Sequence, residues 1–217
     1  MTPPPKSSTA LILVDLQNAF CESGGSFQKR FGPPHELPAT LDACRLLHAQ
    51  AQTFAILTIF TQLQFQPGYS DAGLLVHSLA PCIVQLGAYL KDSWDSAIAS
   101  AAPRPLPHNI ILPKTRYDPF INTPLLDLLR HHKISHLLLA GILTNVCLEA
   151  TARSAFDHDF HVTIVEDATT ALSLDMKRAS LLTLGNHYAR ILPSTSPAIW
   201  QPHMSSIAHT ANILNAP

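Results

Sequence analysis

Charge is scarce in this chain: only 13% of its 217 residues are Asp, Glu, Lys or Arg, and they nearly cancel to a formal charge of -1. A near-neutral surface builds no long-range field of one sign. That argues against nucleic acid or an anionic membrane surface as partner, and for a small, modestly polar ligand. No apolar run approaches the roughly 20 residues needed to span a bilayer, so no membrane segment is expected. Cysteine is sparse as well. Cys21, Cys44, Cys82 and Cys147 form no close pair and no CxxC, and the opening "MTPPPKSSTA" lacks the apolar core of a secretory signal, so a cytoplasmic protein with reduced thiols is expected. There is no internal repeat and no second domain boundary.

What is present is apolar sequence in short pieces. At 47% hydrophobic, the chain can bury a substantial core as one domain over 1–217, with a flexible start at 1–8 and a tail at 196–217. Runs rich in Ile, Leu and Val recur at 10–15, 54–61, 109–114, 135–142, 161–167 and 189–194. They are continuous rather than alternating, as strands buried on both faces are. Between them, segments 36–52, 123–132, 145–159 and 174–187 carry apolar residues at three- and four-residue spacing, as Leu125, Leu128 and Leu129 do. Strand and helix in alternation predict right-handed crossovers and a parallel sheet, hence a three-layer α/β fold of about six strands. Residues 62–108, with the proline-rich "APRPLPHN", read as loops and short helices over one end of the sheet.

In such a sheet, chemistry gathers at the carboxyl ends of the strands. Asp15 closes the first run, Lys114 closes "IILPK", and Cys147 lies just beyond "LLLAGI". A thiol attacks as thiolate, which a helix N-terminus and an ammonium both favour. A carboxylate beside it takes the thiol proton and later returns it to a leaving amine. Backbone N–H groups of "GILTNVC" are placed to meet an oxyanion. Taken singly, each residue has a plain reading: a buried small hydrophobe, a turn former, a surface charge. The triplet is harder to assemble by accident.

The segments "ALILVDLQNAF", "ILPKTRYDPFINTPL" and "AGILTNVCLEATARSAFDHDFHVTIVEDATTA" resemble the three signature segments of the isochorismatase-like cysteine hydrolases, over about residues 10–195. The resemblance implies a six-stranded parallel sheet flanked by helices and an Asp-Lys-Cys triad at Asp15, Lys114 and Cys147. It further implies a non-proline cis peptide at Ile142-Leu143 that turns the N–H groups of Leu143 and Cys147 towards the oxyanion, and an assembly of two or four copies. The nicotinamidases of this family hold a metal on an Asp-x-His and a further His. Here the matching "TQLQFQPGYSDAGLLVH" lacks that spacing and leaves His77 alone, so no metal and no other cofactor is expected. "SWD" and "GILTNVCLEATARSAF" are most similar to the ureidoacrylate amidohydrolase branch, where Gln62 and Gln64 replace an Asn and a Trp.

On that resemblance, the pocket is lined by Phe20, Gln62 and Tyr117, with Phe120 a further candidate. Phe20 and Phe120 are equally compatible with plain core packing. Trp94 reads as a lid or an anchor, the twelve histidines as surface residues, and Cys21 as a bystander that could be exposed at the rim. Arg153 and Asp157 are spaced as a helix pair. Glu166 and Asp167 read as the end of the fifth strand, positioning Lys114 or capping the next helix. Trp200 is expected to pack on a neighbouring subunit or back on its own chain. The function expected is hydrolysis of a C–N bond in a small ureido, carbamoyl or amide substrate. An ether or ester hydrolase on the same site, or a binding module that has kept the scaffold, remain as alternatives.

Overall fold

A computed structural model describes residues 8–201. Six strands, β1 (Thr9–Val14), β2 (Leu57–Leu63), β3 (Ile110–Lys114), β4 (His136–Ile142), β5 (His161–Thr170) and β6 (Arg190–Leu192), form one sheet in the order β3-β2-β1-β4-β5-β6. Every pairing is parallel. The helices are α1 (Asn18–Cys21), α2 (Ser26–Phe31), α3 (Leu37–Thr53), α4 (Cys82–Gln85), α5 (Leu125–His131), α6 (Glu149–Asp157) and α7 (Leu174–His187).

The continuous apolar runs are explained by a core on each side of the sheet. In β1, Leu11 and Leu13 enter one cluster with Leu41, Cys44 and Leu47 of α3, while Ala10, Ile12 and Val14 enter the other with Leu125 and Leu129 of α5, Ala152 and Ala155 of α6 and Leu184 of α7. Successive side chains of a strand point to opposite faces, so both sets must be apolar. The expected three-layer α/β architecture is what is observed.

The differences lie at element boundaries. The run "FAILTIFT" starts in the turn that ends α3, and only from Leu57 does it become strand; its apolar Phe54 and Ile56 belong to that turn. The helix expected at 145–159 opens as a π-helical turn, Thr144–Leu148, before continuing as α6. β5 runs on to Thr170, past the shift in its register with β4 between Leu139 and Gly141.

The order reverses beside β1: the chain winds outward through β2 and β3, then crosses back to β4. At that switch the connections leave β1 and β4 in opposite directions, which opens a crevice at their carboxyl ends. Gly141 lets the two strands approach there. Its φ is +117°, and a Cβ would collide with the backbone of Val14, so only glycine serves.

Residues 64–108 cover this end. Tyr69 donates its hydroxyl proton between the carbonyls of Ala88 (2.9 Å) and Ile83 (3.2 Å), and the stretch is tied to the segment just after β1 by an isolated bridge between Gln17 and Ile98. The tail starts by folding back on its own chain: Pro197–Trp200 is a 3-10 turn, and the Trp200 ring meets Phe54 edge-on at 5.8 Å. The expected flexible start, apart from Ser8, and the tail beyond residue 201 lie outside the described residues. Among the described residues, no helix is long and apolar enough to cross a membrane.

Candidate active site

Asp15, the first residue past β1, turns the chain with a left-handed φ of +50°. Its side chain is wholly buried. The Thr61 hydroxyl of β2 accepts from the Asp15 N–H at 3.1 Å and donates to Asp15 Oδ1 at 2.6 Å. Oδ2 lies 2.8 Å from Lys114 Nζ. Beyond that ion pair, Oδ2 has no hydrogen-bond partner among the described residues.

Lys114 ends β3, next to β2 in the sheet, with Leu63 opposite it. Its ammonium is as buried as the carboxylate and also faces the carbonyls of Arg116 (3.1 Å) and Tyr117 (3.2 Å). Burial alone pulls its pKa down, but the negative charges of Asp15 and of Cys147 when ionised outweigh that, and the net shift is upward.

Cys147 sits in the π-helical turn after β4, only 3% exposed, close enough to Asp15 and Lys114 for its thiol to feel both charges. The ion pair and the thiol are thus carried at the same rim of the sheet, each following the end of a different strand. Burial, and then the Asp15 charge, push the thiol up, against a downward pull from Lys114. The net direction favours the thiol over the thiolate. This corrects the expectation from helix terminus and ammonium, because desolvation of the sulfur anion is the larger effect.

The turn that carries Cys147 is held from behind. Thr144 bonds to Thr169 of β5 at 2.8 Å, and Thr151 Oγ1 donates to the Cys147 carbonyl at 2.6 Å. The single hydroxyl proton of Ser180 on α7 faces Glu149 Oε2 at 2.6 Å, with the Thr144 carbonyl at 3.2 Å. Arg153 pairs with Glu149 at 2.6 Å and lies 4.5 Å over the Tyr188 ring, so its partner is not the expected Asp157. Glu precedes Arg by one turn here, the favoured polarity along a helix. The Ile142-Leu143 peptide is cis, and Leu143 leaves it extended (ψ 146°) just before the π-helical turn.

Of the expected lining residues, Tyr117 is half-buried and its phenol is raised, first by burial and then by charge at Cys147. Phe20 is buried against Tyr89 (5.4 Å) and Phe27 (5.0 Å). Tyr89, not anticipated from the sequence, has its phenol raised well above the ordinary range by burial and by Asp95, with Cys147 and Asp15 adding to the shift. Gln62 donates to the Ser96 carbonyl at 3.2 Å. Phe120 belongs elsewhere: its ring packs on His158 (5.1 Å) and Phe160 (6.2 Å), beyond the far end of α6 from Cys147. Its place just after the β3 loop gave no hint that the chain had already turned away.

Other expectations also change. Trp94 is 57% exposed, and its carbonyl accepts from Asn18 Nδ2 at 2.7 Å. Cys21 is buried rather than exposed at the rim. Asp167 holds Ser194 through N–H (2.8 Å) and hydroxyl (2.5 Å), whereas the N-cap of α7 is Ser173. His136 is fully buried between Thr9 and Thr163, not a surface residue. Two grooves, of about 570 and 480 Å³, lie between α3 and residues 194–201 and near Leu57, His108 and His132. Neither is lined by Asp15, Lys114 or Cys147, and buried charge rather than volume marks the candidate site. Among the described residues, no group of three or more His, Cys, Asp or Glu side chains is placed to hold a metal.

Sequence reasoning missed Thr61 and Gln17. Gln17 donates to the carbonyls of Leu63 (2.9 Å) and Ser96 (2.8 Å) and accepts from the Leu63 N–H (2.8 Å). The available signal was polar residues at the ends of otherwise apolar strands.

The profile of the isochorismatase domain matches residues 9–196. A ureidoacrylate amidohydrolase, RutB, of Variovorax paradoxus strain S110 is 34% identical over 179 residues, covering 76% of this chain and 70% of that protein. Its namesake from Yersinia enterocolitica is 32% identical over 190 residues, covering 82% of each. A crystal structure of a cysteine hydrolase from Pseudomonas syringae pv. phaseolicola 1448A superposes with a TM-score of 0.79 at 24% identity, over 89% of this chain and 95% of that one.

Proposed function

Because this chain belongs to the isochorismatase domain family, we propose that it is a cysteine-dependent amidohydrolase opening a C–N bond of a small ureido, carbamoyl or amide substrate. The observation that carries this reading is the buried Asp15–Lys114 ion pair at 2.8 Å, with the buried Cys147 thiol within electrostatic reach of both. Withdrawing two charges from water costs several kcal/mol per ion. Packing gains nothing from that cost, and perturbed, paired charges beside a nucleophile are characteristic of catalytic sites. The names of the ureidoacrylate amidohydrolase relatives favour the ureido class.

The steps follow from the protonation state. Asp15 Oδ2, its lone pairs uncommitted apart from the ion pair, takes the proton of the Cys147 thiol as Sγ bonds to the substrate carbonyl carbon. The carbonyl π electrons move to oxygen, which the N–H groups of Leu143 and Cys147 meet. As the tetrahedral adduct collapses, the C–N bond breaks and the amine leaves with the proton from Asp15. A thioester or thiocarbamate remains on Sγ. Water, deprotonated by Asp15, attacks it; the C–S bond breaks and Sγ recovers the proton. Lys114 stays charged throughout, so that negative charge passing between sulfur and carboxylate always has a partner. Phe20, Tyr117 and Gln62 line the substrate's approach.

The test is ammonia release across ureido acids, biuret and simple amides, with the parent, Cys147→Ala and Cys147→Ser. Release by the parent and near-total loss in both variants, with unchanged melting temperature, is the expected result. A Cys147→Ala protein releasing ammonia at the parent rate would end the proposal. Turnover of ethers or esters without ammonia release from any of the panel would transfer the site to the other hydrolase class.

A further inference from the structure

We infer that Thr61 is the positioning residue of this site: its hydroxyl fixes the rotation of the Asp15 carboxylate, so that Oδ2 alone serves as proton carrier for Cys147. The inference rests on the catalytic reading above and adds a residue to it. A hydroxyl has one proton and two lone pairs. In Thr61 the proton goes to Asp15 Oδ1 at 2.6 Å, a length typical of a charge-assisted bond, and a lone pair receives the Asp15 N–H at 3.1 Å. Both contacts are to the same residue and both are fully buried. Asp15 is thus gripped at backbone and side chain by one atom of the neighbouring strand.

The sheet explains why that atom is there. Leu13 lies opposite Phe60, so the register carries Thr61 alongside the chain as it leaves β1, while Thr61 in turn lies opposite Leu112, two residues before Lys114. Thr61 occupies the strand between the carboxylate and the ammonium. Without the hydroxyl, Oδ1 loses its anchor, and the carboxylate plane of Asp15 is free to rotate about χ2 away from the angle that turns Oδ2 towards Lys114 and the thiol. The charged or titratable side chains acting on this carboxylate are Lys114, Cys147 and Tyr89, from three different segments. None of them holds Oδ1.

Thr61→Val removes the hydroxyl at constant shape; Thr61→Ser keeps it. With whichever ureido acid, biuret or amide the parent turns over fastest, Thr61→Val should lose on the order of 10²-fold in kcat, the usual penalty of a small misplacement. KM should move by less than about threefold, because Thr61 does not touch substrate, and Thr61→Ser should recover at least a third of the parent kcat. A readout independent of turnover is the alkylation of Cys147 by iodoacetamide, followed by peptide mass: slower in Thr61→Val, restored in Thr61→Ser. Should Thr61→Val not fold, Thr61→Ala replaces it in the same comparison. Equal kcat and equal alkylation in the parent and the hydroxyl-free variant would overturn the inference while leaving the Cys147 proposal standing. Activity in Cys147→Ala would instead overturn the catalytic reading on which this one rests.

Discussion

Asp15 and Lys114 form a pair whose members cannot be removed independently. Taking away the ammonium alone leaves a carboxylate buried without its counter-ion, and breaking a buried pair in that way costs about 3–5 kcal/mol. Lys114→Met is therefore expected to lose that much unfolding free energy in urea titration, together with its activity. The double variant Asp15→Asn/Lys114→Met should recover a large part of the stability and none of the activity, because no lone charge remains inside. A single variant as stable as the parent would show that water reaches the pair. Residue types at strand ends made this pair legible from sequence. Its third support, Thr61, was not legible, since a threonine inside an apolar strand is an ordinary β-former until the neighbouring strand is known.

At the scale of elements, the covering stretch depends on one carboxylate. Asp95 accepts from the Ser26 N–H (2.8 Å) and hydroxyl (2.7 Å), which start α2, and from the Tyr89 N–H (2.9 Å). Asp95→Ala strands three donors, each with an unmet bond worth about 1–3 kcal/mol where buried. The expected outcome is local: faster amide exchange over 24–32 and 86–97, little change in β1 and β4, and a raised KM as the Phe20–Tyr89 wall loosens. Uniformly faster exchange through the sheet would contradict it. Helix periodicity located α3, α5 and α7 to within about two residues, yet it did not reveal the π-helical turn before α6 or assign Arg153 to Glu149. Both i,i+4 partners are acidic, and only the burial of Ser180 against Glu149 decides between them.

For the molecule as a whole, His136 links strands β1, β4 and β5: Nδ1 meets Thr9 Oγ1 at 3.0 Å and Nε2 meets Thr163 Oγ1 at 2.9 Å. Burial, then the charges of Arg190 and His161, lower its pKa from 6.5 to about 4. The folded state thus binds this proton more weakly than the unfolded state. The stability it contributes is complete above pH 6.5 and is lost as pH falls towards 4, amounting to about 3 kcal/mol. Urea unfolding at a series of pH values should show that fall in the parent and a shallower one in His136→Gln. Parallel pH curves for the two would exclude His136 as the titrating group. The sequence reading placed histidines on the surface because the residue type favours it. Here the fully buried imidazole is satisfied because two neighbouring strands each bring a hydroxyl to it.

The sequence by itself determined the layered α/β class, the six parallel strands and the strand-end positions of Asp15 and Lys114, which form the buried ion pair. Each of these follows from local pattern: continuous apolar runs need cover on both faces, and chemistry-bearing residues stand where those runs stop. Only the tertiary structure decided the burial of the Cys147 thiol, the grip of Thr61 on Asp15, the packing of Phe120 on His158 and Phe160 and the partner of Arg153. Those depend on desolvation and on distances between strands far apart in the chain, and such quantities have no value until the sheet has formed.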